Sequence, residues 1–246
     1  MDRMIYIAMT GAQQALQQQA VSAHNLANAG TAGFKADTTA FRTLPVDGPG
    51  LPTRAYAIDT TTGADLAPGT IQRTGRELDV AIQSEGFFAV QALDGSEAYT
   101  RGGSFQVSAE GQLQTQSGLP VLGDGGPLTI PQDSKVSVAG DGTISATNNG
   151  MPATTTVVGR LKLVNPPAGT LAKGSDGLFR TAGGAPADAD PNVTVIGGAI
   201  EGSNVNPVSS MVEMINLSRQ FDLTMKFLQS ADTNAQKATQ LLAAVG

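Results

Sequence analysis

Acid–base, nucleophilic or metal chemistry needs particular residue types brought together, and this chain is short of them. His24 is the only histidine, and there is no cysteine. Thiol nucleophiles, disulfides and Cys-ligated zinc are therefore excluded, and no histidine cluster can form within one chain. His24 sits beside Asn25 in a helical stretch and reads as a polar helix-face residue rather than a proton shuttle. Glu77 and Asp79 are two apart and would share one strand face. A paired-carboxylate hydrolase needs its acids across a cleft, with separated pKa values. Solvated strand charges account for this pair more simply. Gly123-Asp124-Gly125-Gly126-Pro127 lacks the Lys-Ser/Thr ending of a phosphate loop, and a strand-like run, Leu128 to Ile130, follows it. Arg101-Gly102-Gly103 reads as a turn. We expect no catalytic residue, no cofactor and no metal ligand.

The elements that hold these residues divide the chain into helical ends and a β-rich middle. Residues 1–30 carry a stripe of mostly small residues at steps of three and four: Ile5, Ala8, Ala12, Ala15, Gln19, Ala23 and Leu26. Asn25 and Asn28 lie three apart at its end and share a face. They either cap the helix or offer their amides to a neighbouring backbone. Residues 31–70, with Pro45, Pro49 and Pro52, read as an extended connector. Residues 71–202 read as a β domain of short antiparallel strands, punctuated by Asp94-Gly95, Asp124-Gly125, Asp141-Gly142, Asn149-Gly150 and Asp176-Gly177. Residues 203–246 begin with Asn206 as a helix cap and Pro207 in the first turn. The stripe there runs Met214, Ser218, Phe221, Met225, Leu228, Asp232, Ala235, Thr239 and Leu242. The class is α+β: two long terminal helices paired as a coiled-coil-like stem, with a central all-β domain.

Length and charge narrow the function. At 246 residues the chain can bury a core without staples. Its formal charge is −6, with no clustered Lys/Arg run, which argues against nucleic acid as a partner. Only 15% of residues are charged, against about a quarter in ordinary globular domains. The opening residues lack a basic segment followed by an apolar one, so no cleaved signal peptide is expected, and no stretch is apolar enough for membrane insertion.

Three motifs in order then carry a resemblance. They are Ser22-Ala23-His24-Asn25-Leu26-Ala27-Asn28 running to Gly33-Phe34-Lys35, then Thr74-Gly75-Arg76-Glu77-Leu78-Asp79-Val80-Ala81-Ile82 with Gly86-Phe87-Phe88 and Tyr99-Thr100-Arg101, then Glu201-Gly202-Ser203-Asn204-Val205-Asn206-Pro207. Together they resemble the bacterial flagellar rod and hook proteins over nearly the whole chain. The opening Met1 to Ala12 and the length are most similar to members of the proximal rod. Gly30, Gln83-Ser84-Glu85 and Gly102 depart from the family pattern, all at turns.

The resemblance implies a structural subunit of the basal-body rod, polymerising into the axial drive shaft around the export channel. It implies localisation in the periplasmic rod, and export through the flagellar export apparatus without a cleaved signal. Partners would be other rod subunits, proximal and distal, and copies of itself. The terminal segments would be unfolded before assembly. The residues expected at the assembly interface are Asn25, Leu26, Asn28, Gly33, Phe34, Glu201, Ser203, Asn204, Val205 and Phe221. Two alternatives stand beside this reading. One is a distal rod protein of the same family; the other is a secreted β-rich domain that binds or hydrolyses glycan.

Overall fold

A computed structural model describes residues 2–45, 55–131, 134–148 and 154–245. It has two helices and many short antiparallel strands, an α+β chain. The chain forms two compact units. The first gathers 1–27, 37–64 and 206–246; the second gathers 28–36 and 65–205.

The first unit contains α1 (Asp2–Ala27), α2 (Pro207–Val245) and a hairpin of β1 (Asp37–Pro45) and β2 (Ala55–Ala64). That hairpin lies within the segment expected to be an extended connector. The helices are unequal, with 26 residues in α1 and 39 in α2, so only α2 is long. Asn206 caps α2, its Oδ1 accepting from the N–H groups of Val208 and Ser209 at 3.0 and 3.1 Å. The two helices pack on each other. Ser22 Oγ donates to Glu213 Oε2 at 3.0 Å, so the end of α1 lies beside the start of α2. The course is antiparallel, because a parallel one would leave buried Ala12 and Ala15 beyond the start of α2.

The buried stripes follow the 4-3 rhythm, but with two corrections. On α1 the inward residue is Ser22, and Ala23 is exposed. On α2 the inward residues are Ser210, Met214, Leu217, Phe221, Thr224, Leu228, Ala231, Ala235 and Ala238. Ser218, Met225, Asp232 and Thr239 are exposed one position along. At 3.6 residues per turn, steps of three and of four both stay near one face, so the pattern alone does not decide between them. On α1 small residues, Ala12, Ala15 and Ser22, take the buried places, and on both helices many large apolar side chains are exposed. Tyr6, Met9 and Leu16 on α1 are exposed, as are Val208, Met211, Val212, Ile215, Leu223 and Phe227 on α2.

The second unit holds the apolar core. Four of its strands lead to the charged residues of the interior: β3 (Ile71–Arg73), β4 (Val80–Ile82), β5 (Phe87–Gln91) and β6 (Glu97–Thr100). β5 and β6 lie within a five-stranded sheet ordered Leu163–Val164, β5, β6, Phe179–Thr181, Leu171–Lys173. A three-stranded sheet spans Ser134–Val138, Thr143–Asn148 and Thr155–Arg160. Val80, Ile82, Phe88, Val90, Phe105, Leu113, Val121, Ile144 and Leu161 join in one buried cluster. Phe88 meets Phe105 edge-on, with centroids 5.2 Å apart and planes at 83°. Three of the Asp-Gly turns are built as their residues suggest, whereas at Asp124-Gly125 it is Gly126 that takes the positive φ, 117°. Asp94, Asp141 and Asp176 each accept, through a carboxylate oxygen, the N–H two residues on. Asn149-Gly150 lies outside the described residues.

Phe88 is fully buried. Phe88→Ala should lower the unfolding free energy of the β unit by about 3–5 kcal/mol in a denaturant titration. Paired with Phe105→Ala in a double-mutant cycle, it should show a coupling of about 0.5–1.5 kcal/mol.

Candidate functional site: a buried ionic joint

The strand Ala199–Glu201 pairs antiparallel with β3, and Val195–Gly197 pairs with β4. This register sets Glu201 opposite Ile71, at the end of its strand. Arg101 follows the last residue of β6. Lys35 is delivered by a tight turn after α1, in which Thr31 N–H donates to Asn28 O and Phe34 N–H to Thr31 O. Gly33 sits there at φ 70° and lies so close to the Arg101–Gly102 peptide that a Cβ would stand 2.2 Å from Gly102 N. No L side chain fits that place.

These elements bring three charged side chains into the interior. Lys35 and Glu201 are 1% exposed and Arg101 5%. Glu201 Oε1 accepts from Lys35 Nζ and from Gly69 N–H, both at 2.8 Å. Its Oε2 accepts from Arg101 Nε and Nη2, both at 2.7 Å. The remaining donors find backbone: Lys35 Nζ reaches Ala67 O at 2.7 Å, and Arg101 Nη1 reaches Ser84 O and Gly86 O at 2.9 and 2.7 Å. Gly69 is a second close approach, since a Cβ on it would stand 2.0 Å from Gly202 O.

One carboxylate therefore serves two buried cations. Burial by itself would raise the Glu201 carboxyl. The hydrogen bonds from Lys35 and Gly69 and the charge of Arg101 outweigh it and hold its pKa below the ordinary glutamate range. Burial lowers the Lys35 ammonium, which Glu201 offsets only in part.

Asn204 stitches the neighbouring segments. Its N–H donates to Phe34 O at 3.3 Å, and its Oδ1 accepts from Ala36 N–H at 2.7 Å. Its Nδ2 reaches Asp65 O at 2.8 Å and Ala67 O at 3.2 Å. Gly33 N–H donates to Glu201 O, and Ser203 Oγ accepts from Val205 N–H. Lys173 Nζ stands 4.1 Å over the Phe34 ring and donates to Lys35 O. Gly33, Phe34, Glu201, Ser203, Asn204 and Val205 thus meet within the second unit, with Asn28 starting its turn.

The other expected residues lie in the first unit. Leu26 and Phe221 are half-buried along the inner stripes. Asn25 grips Asp37 on both sides: Oδ1 accepts its N–H at 2.7 Å and Nδ2 donates to its carbonyl at 2.9 Å. His24 Nδ1 meets Asp37 Oδ2 at 2.7 Å.

Lys35, Arg101 and Gly69 escaped the sequence reading of the site. The available signal was a charge set one or two residues from glycine in each motif: Gly33-Phe34-Lys35, Arg101-Gly102 and Glu201-Gly202. Two expectations are corrected. Arg101 is an ion-pair partner rather than a turn residue. Asp79 is buried, not solvated, accepting from Thr74 Oγ1 and Ser104 Oγ at 2.7 and 2.9 Å, while Glu77 is exposed. Among the described residues, no group of three or more His, Cys, Asp or Glu could hold a metal, and no helix is long and apolar enough to cross a membrane.

The charge count makes the substitutions unequal. Glu201→Gln leaves two buried cations without their anion and should cost about 3–5 kcal/mol in chemical denaturation. Lys35→Met leaves the Arg101–Glu201 pair intact and should cost about 1–2 kcal/mol. The pH dependence comes from the depressed glutamate. Its contribution is complete above the ordinary value of 4.5 and is lost as pH falls through the lower folded-state value. The lowered Lys35 works the other way: its buried ammonium is a cost below its folded pKa, relieved as pH rises toward 10.5. The Tm gap between wild type and Glu201→Gln should therefore stay flat around neutral pH and shrink below 4.5.

Three family models match the chain in order. Residues 5–35 match the flagella basal body rod protein, 81–146 the flagellar hook protein FlgE/F/G D1 domain, and 196–241 the flagellar basal body rod FlgEFG protein C-terminal. The flagellar basal-body rod protein FlgF of Escherichia coli is 49% identical over 98% of this chain and 99% of its own length. FlgF of Salmonella typhimurium matches equally. The rod protein FlgG of Buchnera aphidicola from Schizaphis graminum is 33% identical over 96% of this chain and 98% of its own. Lys35, Arg101 and Glu201 fall one in each of the three matched segments, and the chain belongs to the flagellar basal-body rod protein family, most like its FlgF members.

Proposed function

We propose that the chain is a structural subunit of the proximal rod, polymerising with copies of itself and with neighbouring rod proteins into the axial shaft that transmits torque and encloses the export channel. One observation carries the polymerising step. Beyond the residues of its inner stripe, the helix pair leaves many large apolar side chains exposed, as with Tyr6, Leu16, Val212, Ile215, Leu223 and Phe227. Burying each such side chain against another subunit would contribute up to about 1.5–3 kcal/mol. A single chain cannot collect that stabilisation; an array of neighbours can. In this reading α1 and α2 pair as a coiled-coil-like stem in the axial core. The 49% identity to FlgF of Escherichia coli over nearly the whole of both chains supports the proximal over the distal rod. Delivery is by the flagellar export apparatus, without a cleaved signal.

The residues singled out for assembly act in two ways. Leu26 and Phe221 hold the helix pair. Asn25, Asn28, Gly33, Phe34, Glu201, Ser203, Asn204 and Val205 fix the segments that lead into it.

The test is complementation in a flagellated host that lacks its own FlgF. The wild-type gene should restore swimming in soft agar. Ile215→Asp and Phe227→Asp, which place a charge on the outer helix face, should abolish it while the β unit keeps its melting transition. Normal swimming by both variants would overturn the polymerising role of that face.

A further inference from the structure

Lys35, Glu201 and Asn204 lie within a few residues along the chain of points where it passes from one unit to the other, and Arg101 joins them from the middle of the second unit. The passages fall at 27/28, 36/37, 64/65 and 205/206. On the β-unit side, Ala36, Asp65 and Asn204 are bonded to one another. Asp65 N–H donates to Ala36 O at 2.8 Å, Ala36 N–H to Asn204 Oδ1, and Asn204 Nδ2 to Asp65 O. Gly33 N–H and Gly69 N–H end on the backbone and side chain of Glu201. Every one of these bonds is internal to the β unit, and none uses a residue of either helix. The three charged side chains are buried.

We propose that this cluster is a preformed joint. It closes in the free subunit, before polymerisation, and holds in fixed places the segments from which α1, the β1–β2 hairpin and α2 emerge. The joint itself stands on the bonds just described; only its use in polymerisation rests on the proposed rod function. The motif running from Asn25 to Lys35 is thereby split in function. Its second part, from Asn28, is ordered with the β unit whatever the state of the helices, and only its first part orders with α1. The helices then gain their order from a root already set. The entropy lost on entering the array is that of the helices and hairpin, not of the strands that anchor them.

Hydrogen exchange with mass spectrometry on the free full-length subunit tests this. Peptides covering 33–36, 65–69 and 202–205 should exchange at least about 100-fold slower than an unstructured chain, in the range of β5. Glu201→Gln should raise exchange in all three about 10-fold or more and leave them less protected than β5 and β6. Free exchange of these segments in wild type, with β5 protected, overturns the proposal, and so does unchanged protection in Glu201→Gln. If Glu201→Gln unfolds the whole β unit, Lys35→Met decides. It should release 33–36 and leave 202–205 held through Arg101; equal loss or equal retention in both segments overturns the joint. Swimming complementation reads the rod assignment separately, so failure of one does not carry the other with it.

Discussion

One carboxylate, sealed in the β unit, answers two cations, and the course of the chain is arranged around it. Glu201 is held by the pairing of its strand with β3, Arg101 by the end of β6, and Lys35 by a turn that only glycine permits. Each contributor comes from a different third of the sequence. A buried ion pair is weak evidence for stability, because desolvation offsets most of its attraction. Its strength lies in intolerance of alternatives. A slip of one residue in the Ala199–Glu201 strand would turn the carboxylate to the other face and leave both cations unpaired. The charges thus fix register where apolar packing alone would tolerate slippage.

The two units divide the labour accordingly. The β unit owns the large apolar cluster and can close on its own chain. The helix unit has little of that kind inside: Ala12, Ala15 and Ser22 line α1 where a self-sufficient helical hairpin would carry leucine. Many of its large apolar residues are exposed instead. Within the β unit, Asn204 does with one amide what a short sheet would otherwise do, satisfying backbone groups at Ala36, Asp65 and Ala67.

Much of this was legible from residue types. The helical ends, the Asn206 cap, the Asp-Gly turns and the α+β class came from period and turn chemistry. The exact inward stripe on α2 did not. Met225 suits an apolar stripe better than Thr224, yet Thr224 is half-buried and Met225 exposed, because steps of three and of four both stay near one helix face. The β1–β2 hairpin was hidden because Asp37–Pro45 is threonine-rich and interrupted by Arg42, so its alternation is faint. The ionic joint was hidden for a different reason. Its members lie as far as 166 positions apart, and nothing local marks a charge as buried. Only the glycine near each of them hinted that backbones must come close there.

The separation of Lys35 from Glu201 has a consequence for synthesis. The anion is made last, when most of the chain is already present. A copy that ends before residue 201 has the strands that carry Arg101 but two cations with nothing to neutralise them inside. Such a fragment cannot seat its N-terminal segment, and its high contact order means that closure waits on the completed polypeptide. The joint thus reads out whether synthesis has passed Asn204, and a copy that stops before it would be left with its leading segment loose.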